Sequence, residues 1–395
     1  MPTTGPEAAV ELGPLGLDRG AHLLIDQALG ALPPGARVEV HGSDPSLTAD
    51  LAGWARRHGH RVEGRVVVRG EAVDQRWCGA ERSGDPSPGV VAERAPASWG
   101  LAARGALVEA GGPALPGADL DERPLVWSEL APQLYAQAAA SQWDPATAVD
   151  WDAAVVLPEV VERSVVQVMT YLVENEQAAL VVPSHFVGRI HPHYREIVQL
   201  LAIQMADEAR HIEVFSRRAA LSGSALGASA VTGRASLQTL LDERDFSVAE
   251  FLLAVLGEGT FLHLLAFLER HAPDPLTARL CHLALQDEAR HVAFGMAHLD
   301  EALQADQDLR ARLAAAVVER HRVLEHTAGL AEGVHDALVV LAAGSLDPQA
   351  VGRGSDLVAA LQGDMDAGRR RRLVKLGFTD GEAAELSSLH TANFM

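Results

Sequence analysis

One five-residue string, Asp-Glu-Ala-Arg-His, occurs twice, at 207–211 and at 287–291. Each copy contains Glu-x-x-His: Glu208 with His211, and Glu288 with His291. On an α-helix, residues three apart share a face one turn apart, so each copy sets a carboxylate beside an imidazole. Two such faces turned toward each other supply two nitrogens and two carboxylates, half from each helix. That donor set holds a pair of transition-metal ions in the core of a helical bundle. A single Glu-x-x-His is most often a solvated helix face. Two identical copies, each in an apolar helix, are a far more specific signal.

A di-metal bundle site needs two more carboxylates, one from each of two further helices. Glu258 stands 30 residues before Glu288, inside the apolar run 252–262. A carboxylate in such a run is costly to bury unless it is paired or metal-bound. Before the first repeat there are two candidates, Glu176 and Glu174, which precede Glu208 by 32 and 34 residues. Glu176 shares an apolar stripe with Met169, Val173 and Leu180, whereas Glu174 shares a face with Gln167, Thr170 and Tyr171, so Glu176 is preferred. Asp207 and Asp287 each lie four residues before the repeat's histidine. Metal-bound histidines usually donate their second N–H to a carboxylate, and in a two-fold arrangement each aspartate would serve the histidine of the opposite helix. Arg210 and Arg290 would then balance part of the negative charge.

The elements that must position these residues are mainly helical. Residues 158–182 carry one apolar stripe, with Pro158 suited to a first helical turn and an end before Pro183. A loop is expected over 184–194, and its His185, His191 and His193 read as ordinary polar loop residues. A long helix over about 193–221 holds the first repeat. An apolar helix over 247–271 is interrupted at Gly257-Glu258-Gly259, and a helix over 275–304 holds the second repeat. About four more helical segments fill 308–395. His263 lies five residues past Glu258 and points away from it. Upstream, 21–32 and 45–59 read as helices, the second capped by Ser43 or Asp44, and 36–42 and 61–69 as strands. The organisation expected is a small α/β domain at 1–75, a wrapping linker at 76–150, a di-metal bundle at 151–305 and accessory C-terminal helices at 306–395. The linker is rich in Gly, Pro, Ala and Ser, and the two tryptophans near its end, Trp143 and Trp151, are expected to pack.

Composition narrows the function. With 53 acidic against 33 basic residues and a formal charge of −20, the chain lacks the basic face that nucleic acids and anionic membranes need. Two cysteines, Cys78 and Cys281, make no disulfide framework and suit a reduced, cytoplasmic setting. The first residues lack the basic-then-apolar pattern of a signal peptide, and no apolar run reaching roughly 18 residues is expected.

Residues 150–300 resemble the ferritin-like superfamily, specifically its ribonucleotide-reductase-like diiron oxidases and oxygenases. Glu176, Glu208, His211, Glu258, Glu288 and His291 match that family's ligand pattern in order and spacing. The resemblance implies two iron ions (or a Mn/Fe pair), reductive activation of O2 and oxidation of a small organic substrate, with an external electron donor; a homodimer is compatible with it. It also implies that Glu208 and Glu288 bridge or clamp both metals, that His211 and His291 each bind one, that Glu176 and Glu258 are terminal or shifting ligands, and that Asp207 and Asp287 support them. Departures prune the options. Phe215 stands where reductase subunits carry a radical tyrosine, Leu262 where hydrocarbon hydroxylases tend to carry threonine, and Ala284 where some N-oxygenases carry an extra histidine. Of the three tyrosines, Tyr171 is the one placed to approach the site. The reading is a monooxygenase or oxidase performing hydroxylation, N-oxygenation, desaturation or C–C cleavage. The alternatives are a ferroxidase or iron-storage protein, and a non-catalytic scaffold stabilised by metal.

The N-terminal stretch resembles the small sulfur-carrier fold of the TusA/SirA type, in Gly16 to Gly20, Ala28 to Gly35, Val38-Glu39-Val40 and Leu51 to Trp54. That family's cysteine and following proline would fall at Arg19 and Gly20, and without a thiolate there is no persulfide to carry. A docking or stabilising role is what remains.

Overall fold

The computed structural model describes residues 5–72, 77–223, 225–324 and 332–389; the helical expectation for 390–395 lies outside them. The chain divides into two compact units, Met1–Ser83 with Arg104–Ala114, and Gly84–Ala103 with Leu115–Met395.

In the first unit, strands β1 (Ala8–Glu11), β2 (Arg37–His41), β3 (Arg61–Glu63) and β4 (Val66–Val68) form a sheet in the order β1-β2-β4-β3. β1 and β2 are parallel, with Ala8 opposite Val38, and helix α1 (Ala21–Gly30) makes the crossover between them. α2 (Leu47–Arg57) follows β2, and β3 and β4 pair as an antiparallel hairpin whose Gly64 takes φ +69°. Ile25 and Leu29 of α1, Leu47, Leu51 and Trp54 of α2, and Val38, Val40 and Val67 of the sheet form one core. β5 (Glu81–Arg82) pairs with β6 (Leu107–Val108), so part of the stretch between 76 and 150 lies in this unit.

The second unit is helical. α3 (Arg123–Val126) and α4 (Ala131–Ala140) precede the four long helices α5 (Glu159–Val187), α6 (Arg195–Ala219), α8 (Phe246–His271) and α9 (Pro275–Ala305), with α7 (Val231–Leu241) between α6 and α8. α5 packs along α6 and α8 along α9, α6 meets α9, and α4 lies on both α6 and α9. Together the four long helices form a bundle. The starts of these helices are written in the sequence. Asp245 accepts a hydrogen bond from Val248 N (3.1 Å), and Asp274, followed by Pro275, accepts one from Thr277 N (2.7 Å). The fully buried Arg218 ties the bundle together at one end: its guanidinium donates to Glu162 (2.8 and 3.0 Å), Asp274 (3.0 Å) and Thr277 (2.8 Å), linking α6 to α5 and α9. Losing one partner of such a buried ionic network typically costs about 3–5 kcal/mol. α10 (Leu309–Leu324), α11 (Glu332–Ala343), α12 (Pro348–Lys375) and α13 (Asp380–Leu389) complete the unit, with α11 on α5 and α12 on α8.

Three expectations change. α5 does not stop before Pro183: it continues to Val187, so the expected loop shortens and His185 sits in the helix's last turn. A proline near a helix end removes one N–H bond, and here the burial of Pro183 and Phe186 outweighs that loss. His191 and His193 are buried, and His193 accepts from Ala92 N (2.8 Å). Second, the expected break at Gly257–Gly259 is absent: α8 runs through, but residues Phe251–Glu258 are wound as π-helix. Third, α8 is 26 residues long with an 18-residue stretch of mean hydropathy 1.9, long and apolar enough to cross a membrane, although no such run was expected. Its three carboxylates, Glu250, Glu258 and Glu269, are outnumbered by apolar side chains, and 83% of that stretch is buried inside the protein.

Candidate metal centre

The four long helices bring six expected side chains together. α5 supplies Glu176, α6 supplies Glu208 and His211, α8 supplies Glu258, and α9 supplies Glu288 and His291. All six are buried. They form two overlapping sets, Glu176-Glu208-His211-Glu288 and Glu208-Glu258-Glu288-His291, whose donor atoms lie within 4.8 Å of one another. Glu208 and Glu288 belong to both. Glu174, the rejected neighbour of Glu176, is half-buried and outside both sets.

Each imidazole points one nitrogen inward and one outward. His211 Nδ1 lies 3.4 Å from Glu176, 3.3 Å from Glu208 and 3.4 Å from Glu288. His291 Nδ1 lies 3.0 Å from Glu208 and 3.5 Å from Glu288. The outward nitrogens cross over: His211 Nε2 reaches Asp287 (3.1 Å) and His291 Nε2 reaches Asp207 (3.3 Å). Each aspartate thus meets the histidine of the opposite helix. Arg210 pairs with Asp207 and lies 3.5 Å from Asp287, while Arg290 pairs with Asp287 and lies 3.6 Å from Asp207.

Burial, with the charges of Glu208 and Glu288 behind it, pushes the Glu176 carboxyl well above the usual range. Burial, followed by the charge of Glu288, does the same to Glu258. Burial also opposes ionisation of Glu208, but the charge of His291 and the close approach of Glu176, His211 and His291 outweigh it and hold that group low. For the imidazoles, burial favours the neutral form, yet Glu176 beside His211 and Glu208 beside His291 raise both well above the usual value. Protons thus occupy the positions where cations would otherwise sit, and metal entry would displace them. Asp287 is held down to about 2: burial works against this, and the hydrogen bond and charge of His211 prevail.

Several residues at the site were not anticipated. Gln142 donates to Asp207 (3.0 Å), and Trp143 Nε1 donates to Asp287 (2.8 Å), so adjacent residues hold both aspartates. The Trp143 ring stacks at 6.3 Å from His211 and carries Arg210 on its face. Gln204, one turn before Glu208 on the same face, is buried and lies 3.4 Å from Glu258; its counterpart before Glu288 is Ala284. Glu250, two turns before Glu258, is buried with Oε2 unpartnered, and burial pushes its carboxyl up to about 8. The i−4 spacing of Gln204 and the charge of Glu250 within an apolar run are the signals that could have found them. Tyr171 instead packs its ring 6.1 Å from Phe261.

The cluster has donors for two metal ions, and its chemistry fits them. Glu176 Oε1, both oxygens of Glu208, Glu258 Oε2 and Glu288 Oε2 are buried without a hydrogen-bond partner. Orphaned buried acceptors in this number are very costly unless a cation satisfies them. Six carboxylates against Arg210 and Arg290 leave four negative charges, the complement of two divalent cations. A separate cavity of about 580 Å³, lined by Leu120, Arg189, Arg244, Phe246, Leu309 and Arg312, includes none of these ligands.

No family model matches the chain, and no curated protein does. Solved structures do show likeness. An R2-like ligand-binding oxidase from Sulfolobus acidocaldarius aligns at TM-score 0.40 and 17% identity over 64% of this chain and 93% of that one. A variant R2-like ligand-binding oxidase with an aerobically reconstituted Mn/Fe cofactor aligns at TM-score 0.45 and 17% identity, covering 65% and 96%. A protein with aldehyde deformylating oxidase activity from Synechococcus aligns at TM-score 0.42 and 18% identity, covering 60% and 98%.

Proposed function

We propose that this chain is a non-haem di-metal oxidase or monooxygenase that uses O2 to oxidise a small organic substrate. The observation that carries the reading is the pair of half-sites sharing Glu208 and Glu288, each half closed by one imidazole whose far nitrogen is tied to an aspartate. Glu208 and Glu288 would bridge two iron ions, or one manganese and one iron. Glu176 and His211 would complete one ion's ligands, and Glu258 and His291 the other's. When bound, the pair supplies two-electron redox chemistry toward O2; hard carboxylate oxygens suit oxidised iron and manganese.

The chain's own residues do the rest. Asp207 and Asp287 accept the outward imidazole N–H and so present Nδ1 to the centre with a fixed ring orientation. The outward imidazoles, with Arg210 and Arg290 paired alongside, keep those aspartates ionised. Glu176 and Glu258, each contributing one carboxylate from outside the repeats, hold a proton when no metal is bound and release it on loading. Buried α8 leucines and phenylalanines keep bulk water from this centre. An external electron donor would supply the reducing equivalents that such a reaction consumes.

An anaerobic Fe(II) titration followed by O2 tests the reading. Two irons per chain and a transient visible absorption on O2 exposure are expected. Continued uptake of many irons would make it a storage protein, and inertness toward O2 would leave a metal-stabilised scaffold.

A further inference from the structure

α8 reaches the cluster through an unusual turn. Residues Phe251–Glu258 are π-helical and residues Gly259–His271 return to α-helix, so Glu258 is the last residue before the register resets. A π-turn inserts one extra residue, which rotates the downstream part of the helix by about 100° relative to an unbroken α-helix. π-Helix is rare because its backbone bonds are poorer, so something must hold it.

At this junction side chains stand in for backbone donors. In an α-helix the Gly259 N–H would serve the Val255 carbonyl; here it bonds to Ala254. The Val255 carbonyl instead receives Arg372 Nε at 2.7 Å, from α12 on the far side of the sequence. The next carbonyl, Leu256, accepts the Thr260 hydroxyl at 2.6 Å. The seat for Arg372 is built by two glycines. A Cβ on Gly259 would come within 2.5 Å of the guanidinium carbon, and a Cβ on Gly368 would come within 2.4 Å of His263 Nε2 and 3.3 Å of Arg372 Nη1. The guanidinium therefore lies against the backbone of the residue directly after Glu258. Burial lowers the pKa of Arg372 to about 10, and no carboxylate stands among the groups acting on it. Its partner is the π-turn's backbone.

We infer that Arg372 is a positioning residue: by taking the Val255 carbonyl against Gly259, it holds the π-register that turns Glu258 into the metal cluster. The inference rests on the metal reading above and adds to it that one of the two half-sites is controlled from the C-terminal helix. Without this lock, α8 relaxes toward α-helix, Glu258 leaves the cluster, and the half-site of Glu258 and His291 weakens. The half-site of Glu176 and His211, carried by the regular α5 and α6, is left intact.

Arg372→Met keeps most of the buried stem and removes the donor. In an anaerobic Fe(II) titration of the full chain, the wild type is expected to take two ions and R372M one. Loading with Co(II) should delete from the visible spectrum the same component that Glu258→Ala deletes, while the component lost in Glu176→Ala persists. Added guanidinium, and not sodium at equal ionic strength, should restore the second ion to Arg372→Ala. A folded R372M that takes two ions with wild-type affinity overturns the inference. Should R372M fail to fold by far-UV circular dichroism, Gly259→Ala decides, since it displaces the guanidinium while leaving the arginine in the chain; two ions at wild-type affinity there also overturn it. A wild-type chain that takes no metal is a distinct result, and sinks the metal reading together with the inference.

Discussion

The two halves of the cluster have the same donors and different surroundings. One half combines Glu176, His211 and, across the bundle, Asp287 with Trp143; the other combines Glu258, His291 and Asp207 with Gln142. Inside the repeated string the halves mirror each other to within a few tenths of an ångström. Outside it they diverge. Glu176 comes from a regular α-helix, whereas Glu258 comes from a π-turn with Gln204 and Glu250 close by. Repetition supplies what both metals need in common, and the asymmetry is brought in by the rest of the chain. Two ions bound in such a site are expected to differ in affinity and reactivity.

The comparison breaks most completely at the shared carboxylates. Glu208→Ala or Glu288→Ala should lose both ions, measured as metal per chain after anaerobic loading and desalting. Two retained ions in either variant would show that these residues do not bridge. Next in size, Glu176→Ala and Glu258→Ala should each lose one ion, and the remaining ion should give a different Co(II) spectrum in the two variants; identical spectra would erase the distinction between the halves. Smaller effects are expected one layer out. Asp287→Asn should weaken metal binding about 10–100-fold on the His211 side, and Asp207→Asn by a similar factor on the His291 side. Trp143→Phe and Gln142→Leu should follow the same partition with smaller losses, and equal effects of both on both ions would contradict the partition. The smallest effect concerns Glu250. Its folded pKa of about 8 exceeds the ordinary 4.5, so the folded chain binds the extra proton between those values. The stability that this proton provides is complete below the ordinary value and is lost as pH rises through about 8. In metal-free protein, Glu250→Gln should flatten the fall in urea midpoint over that range; an unchanged slope would argue that the carboxyl ionises freely.

Much of this site is readable from the residues because Glu-x-x-His matches the helical turn and because Glu258 is a charge in an apolar run. The choice of Glu176 over Glu174 comes from its stripe, and the structure places Glu176 in the cluster and Glu174 outside it. The features that could not be read have a common cause: they depend on distant partners. Trp143 meets Asp287 across 144 residues, and Arg372 meets Val255 across 117. Nothing local distinguishes the π-turn from an α-helix of the same composition; its Val255 carbonyl is satisfied by a side chain from another element. The helix through Pro183 is a similar case, where tertiary burial overrides a local preference.

Trp143 also makes the protein its own optical probe. Its indole is hydrogen-bonded to Asp287, which in turn meets His211, and its ring lies nearly parallel to that imidazole at 16°. Of the chain's six tryptophans, it is the one bonded to these aspartates. An open-shell ion on the His211 side would shorten the excited-state lifetime of this indole by energy and electron transfer. The five other tryptophans would serve as an internal baseline, and Trp143→Phe as the blank. Occupancy of one half-site could then be followed in real time by tryptophan fluorescence, without a label and without waiting for turnover.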